Sequence, residues 1–99
     1  MDFNFTAVSI NKYSNVLNNL LENVPENYEK KKDIEFSVNN VLTKIKYSAP
    51  EIIIDKFADY SLLIISNLPK EDCDWAINSW NKVLETHKEI KNLYKIYND

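Results

Sequence analysis

The stretch SAPEIIIDKFADYSLLIISNLP, residues 48–69, decides the fold class. Ser48 followed three residues later by Glu51 is the capping-box pattern, in which two side chains satisfy free backbone N–H groups at the start of a helix. Pro50 fits between them, because a first helical turn needs no backbone donor there. Ile53, Phe57, Tyr60, Ile64 and Leu68 then recur at intervals of three and four, and Pro69 stops the series. The stretch predicts a helix that opens at Ser48 and closes before Pro69.

The same period extends in both directions. Upstream, Ile34, Val38, Val41, Leu42 and Ile45 predict a helix ending near residue 47, with a start at either 26 or 33. Before it, Tyr13, Val16, Leu17, Leu20, Leu21 and Val24 predict a helix over 7–24 that Pro25 ends. Phe3 and Phe5 alternate with polar residues over a short stretch and suggest an extended N-terminal arm tucked against the rest. Downstream, the series Cys73, Ala76, Ile77, Trp80, Val83, Leu84, His87, Ile90 and Tyr94 predicts a helix over 70–97, with Cys73, Ile77, Trp80, Leu84 and His87 as its inward stripe. Four amphipathic helices joined by a few residues each imply antiparallel neighbours. The predicted architecture is therefore all-α, a small four-helix bundle with up-down antiparallel topology, in a single domain over residues 1–99.

Composition removes several functions. The 99 residues include no glycine, no arginine and no glutamine, so phosphate-cradling glycine loops and nucleophile elbows are absent. Every positive charge except the chain terminus is a lysine and the net charge is −3, which disfavours nucleic acid as a partner. The one basic run, Lys30 to Lys32, is surrounded by Glu26, Glu29, Asp33 and Glu35 and reads as a solvated face. Leu62 to Ile65, the longest apolar run, is far short of the roughly 20 residues that span a bilayer. One cysteine and a first stretch without a signal-peptide pattern lead to the expectation of a cytosolic protein that does not engage a membrane.

Chemistry is scarce as well. A metal site on a helical bundle needs Glu-x-x-His pairs or clustered Cys and His, whereas this chain has one His with Leu84 three residues before it. Cys73 and His87 lie fourteen residues apart on one predicted helix, about 21 Å along its axis, too far for a nucleophile and its base. The carboxylate pairs Asp55/Asp59 and Glu85/Glu89 face outward by periodicity, where neither partner is desolvated enough for acid–base work. The expectation is no catalytic residue, no metal and no cofactor.

More telling are apolar residues outside the inward stripes. On the third helix Ile52, Leu63 and, less clearly, Leu62 project towards Asp55, Asp59 and Ser66, so this helix is apolar nearly all round. Either three other helices cover it, or part of it is a patch for a partner. On the fourth helix Trp75 stands about 140° from the stripe, flanked by Glu71, Asp72 and Asp74. That is the composition of an interface anchor in an acidic setting; the alternative is that Trp75 folds over the Pro69 turn and closes the end of the bundle. Leu93, Ile96 and Tyr97 spread beyond the stripe at the far end and could pair with another copy. These residues lead to the expectation of a small acidic module that binds and blocks or regulates another protein, of basic character, as immunity proteins, antitoxins and viral or phage anti-defence proteins do. A self-assembling homo-oligomeric scaffold is the alternative.

Overall fold

The computed structural model describes residues 5–98, apart from the side chains of Tyr97 and Asn98. It contains four helices, α1 (Phe5–Asn23), α2 (Lys31–Lys46), α3 (Pro50–Ile65) and α4 (Asp74–Asn98). They form an elongated four-helix bundle of 46 × 23 × 21 Å. Antiparallel pairing of α1 with α4 follows from Phe5 meeting Tyr94 at one end (ring centroids 5.5 Å apart) and Lys12 meeting Glu89 further along (2.7 Å). Each helix packs on its sequence neighbours, and α1 also packs on α4 and α3, leaving α2 and α4 at opposite corners.

The core follows the sequence period closely on the first three helices. Tyr13, Leu17 and Leu20 of α1 meet Ile34, Val38, Val41 and Ile45 of α2, all without solvent exposure. Ile53, Phe57 and Ile64 add the inward line of α3. Small serines sit where helices approach. Ser9, Ser37 and Ser61 are buried, and each hydroxyl donates back to a carbonyl three residues earlier, on Thr6, Ile34 and Ala58.

Several boundaries differ from the expectations, each for a local reason. Ser48 does not cap α3: Ala49 is the N-cap, with extended backbone (φ −68°, ψ 149°) and no side-chain cap bond. A residue before proline is pushed out of the helical region, so Pro50 moves the helix start one residue beyond Ser48. Phe5 is not part of an extended arm; it is buried in the first turn of α1, and Phe3 lies outside the described residues. The fourth helix starts at Asp74 rather than 70, and α3 stops at Ile65 while Leu68, beyond its end, is still buried. Among the described residues none has positive φ, so the helices end without the left-handed residue that glycine usually provides.

A larger correction concerns the inward stripe of α4. Ala76, Val83 and Ile90 are its buried apolar residues, whereas Ile77 and Leu84 keep 45% and 48% of their surface exposed. The true stripe is rotated towards α1, which α4 packs on closely, and Ile77 and Leu84 fall on the flank that faces α3, where the contact is thin.

Candidate interaction surface

Three rings from three helices hold α3 in place. Phe57 of α3 stacks on Tyr13 of α1 (centroids 4.8 Å) and on His87 of α4 (4.6 Å). Tyr13 Oη lies 2.9 Å from His87 Nδ1. Burial pushes the Tyr13 phenol above its ordinary value, so it stays protonated and shares a hydrogen bond with a neutral imidazole. Burial, and then the charge of Lys91, lower the pKa of His87 and favour that neutral ring. The junction is therefore a packed and hydrogen-bonded assembly. His87 is held within this junction, and Cys73 is half-buried near the start of α4.

At one end of the bundle the two long connections are fastened together. Tyr28, between α1 and α2, donates its hydroxyl to the Asn67 carbonyl after α3 (2.8 Å) and meets Trp75 edge-on (5.5 Å, 69°). Burial, with the nearby charges of Glu29 and Glu71, raises the Tyr28 phenol pKa, again favouring the donor form. Trp75 thus packs, half-buried, against the core and closes this end. Asp72 and Asp74 remain exposed beside it.

The outward line of α3 is the other place where predicted residues gather. Ile52 and Leu63 are 47% and 43% exposed, and Asp55 and Asp59 are exposed between them. Spacings of three and four residues place all four on one helical face, turned from Phe57 and Ile64. At the C-terminal end of α4, Leu93 is half-buried against the core and Ile96 is exposed, while the side chain of Tyr97 lies outside the described residues. The carboxylate pairs Asp55/Asp59 and Glu85/Glu89 are all solvent-exposed. Among the described residues no group of three His, Cys, Asp or Glu side chains converges as metal ligands would, and no helix is long and apolar enough to cross a membrane.

Sequence reasoning missed two features. Phe36 on α2 and Tyr47 at its C-cap are strongly exposed, on the side opposite Ile34, Val38 and Ile45. Their off-stripe spacing is a signal that helical periodicity could have picked out. The second is a shallow apolar cleft of about 260 Å³ where Ile65 and Leu68 of the α3 side face Ala76, Ile77 and Trp80 of α4. It lies where the contact between α3 and α4 is thin, to one side of the Phe57–His87 stack. No family model, curated protein or solved structure matches the chain.

Proposed function

We propose that this chain is a non-catalytic protein-binding module that inhibits or regulates a partner protein by covering part of its surface, the mode of action of immunity proteins, antitoxins and anti-defence proteins. The observation that carries the reading is the outward line of α3, where Ile52 and Leu63 stand exposed among Asp55 and Asp59 on a helix whose opposite side is anchored in the core. Exposed aliphatics can be buried by a partner, and the flanking carboxylates would steer a basic surface onto them. The acidic balance of the chain acts in the same direction over longer range. Asp72, Asp74 and the edge of Trp75 would extend the contact at the end of the bundle.

The test is affinity capture from the source cells with the natural chain and with Ile52→Asp and Leu63→Asp, each checked for unchanged helical circular dichroism. A specific protein recovered with the natural chain and lost with both variants is the expected result. Recovery of the same protein with all three chains would remove this face from consideration. Failure to recover any specific protein would count against the regulator reading as a whole.

A further inference from the structure

The two sides of the α3–α4 seam carry opposite charge patterns that match level by level. On the α3 edge, exposed Glu51 and Asp55 are followed by exposed Leu62 and Ile65. On the α4 edge, exposed Ile77 and Leu84 are followed by exposed Lys88, Lys91 and Lys95. The helices run antiparallel, with Phe57 stacked on His87 and Ile65 across the cleft from Ile77. The acidic half of the α3 edge therefore lies level with the basic half of the α4 edge, and the apolar halves lie level with each other. Among the described residues no ion pair joins the two rows within the chain. Leu62 is 61% exposed, and with Ile65, Ile77 and Leu84 it forms an apolar patch beside the charged zone.

We propose that this seam is covered by a second copy of the chain, in a two-fold dimer whose axis runs parallel to α3 and α4 between them. Such an axis lays α3 of each copy over α4 of the other without shifting levels along the helices. Glu51 and Asp55 then face the partner's Lys88 and Lys91, and the contact occurs twice. Leu62 and Ile65 cover the partner's Ile77 and Leu84. An axis perpendicular to the helices would set charged halves against apolar halves, desolvating charges without partners. A different protein would have to reproduce an acidic row, a basic row and an apolar patch in this arrangement, whereas a second copy supplies all three by symmetry.

The 16 residues of α3 span about 24 Å, and with the stretch of the longer α4 that lies level with them they present a projected footprint on the order of 500 Å². That falls below the ~800 Å² per partner of standard stable interfaces, so the dimer is weak and dissociates on dilution. It shares Asp55 with the Ile52 and Leu63 face, but the Lys88, Lys91 and Leu84 substitutions on α4 touch only the dimer seam and Ile52→Asp and Leu63→Asp touch only the other face, so this inference and the regulator reading can fail separately.

The experiment measures mass by light scattering or sedimentation equilibrium from about 1 μM to about 1 mM, the range expected for such an interface. The natural chain should pass from monomer to dimer. Glu51→Lys with Asp55→Lys in one variant, and Lys88→Glu with Lys91→Glu in a second, should each weaken self-association at least about tenfold, since like charges then face each other twice. Mixing the two variants should restore dimers, because in the mixed pair both contacts again join opposite charges. Leu84→Asp should abolish association. A chain that stays monomeric throughout overturns the proposal and leaves the seam to another occupant. A dimer that ignores these substitutions, or that mixing fails to restore, overturns it too and places self-association elsewhere, such as the Leu93 and Ile96 end of α4.

Discussion

The two flanks of α4 are built on opposite principles. Towards α1 the helix buries Val83 and Ile90 completely, shares the Tyr13 to His87 hydrogen bond, and closes the rim with the Lys12 to Glu89 ion pair. Towards α3 it offers one ring stack at His87 and leaves Ile77 and Leu84 half in water. The same apolar residue types occur on both flanks, so composition does not distinguish them. What distinguishes them is whether a neighbouring helix stands close enough to fill the space. The first flank holds the bundle together; the second leaves apolar surface in water.

The sharpest way to break that contrast is to truncate one aliphatic on each flank. Ile90→Ala empties a fully buried site and should cost about 2–5 kcal/mol, from lost transfer energy and the cavity left behind. Leu84→Ala removes a side chain already half in water and should cost under about 1 kcal/mol. Urea unfolding of both variants, at concentrations low enough to keep the chain monomeric, checks the pair. Similar losses in both would mean that the α3 flank is packed as a core, and the distinction between the flanks would fall.

A smaller effect is expected at the ring junction, where the flanks meet. Tyr13→Phe keeps the stack on Phe57 but leaves His87 Nδ1 without its hydrogen-bond partner, at a cost of about 1 kcal/mol. The pH dependence carries a definite sign. Because burial, then Lys91, hold the folded-state pKa of His87 below the ordinary value near 6.5, the unfolded chain binds its proton first as pH falls. The stabilising difference is fully present above about pH 6.5 and is lost as pH drops through the lowered native value. Urea midpoints followed from pH 8 to pH 4 should show this fall in the natural chain and a flatter profile in His87→Gln. An unchanged profile would mean that His87 titrates alike in both states.

Much of this architecture is legible in the sequence, for reasons that also mark where legibility ends. On α1, α2 and α3 the buried positions Leu17, Leu20, Val38, Val41, Phe57 and Ile64 follow the helical period, because each of those helices buries one well-defined stripe. The outward projection of Ile52 and Leu63 is visible on the same grounds. On α4 the apolar residues cover too wide an arc for periodicity to locate its centre, and Ile77 and Leu84 read as core although their neighbour is too distant to cover them. Trp75 posed a similar difficulty, since only the arrangement of Tyr28 and Asn67 from other connections shows what it packs on. The Tyr13 to His87 bond joins residues 74 apart in sequence, and no local pattern announces it.

The smallest effect concerns charge. Lys12 and Glu89 span α1 and α4 at 2.7 Å, with side chains 34% and 55% exposed. A double-mutant cycle with Lys12→Met and Glu89→Gln should give a coupling below about 1 kcal/mol, shrinking further as salt is added, because water screens a pair at that exposure. The register of this flank is held by the buried side chains behind the pair, so thermal unfolding of the double variant should stay close to that of the natural chain. On the α3 flank Glu51, Asp55, Lys88 and Lys91 stand exposed, and among the described residues no ion pair joins them within the chain. Exposed charges of the same kinds should thus have little influence on folding at one flank of α4 and a decisive influence on pairing at the other. A large coupling for Lys12 and Glu89 would show instead that the α1 flank also depends on its rim.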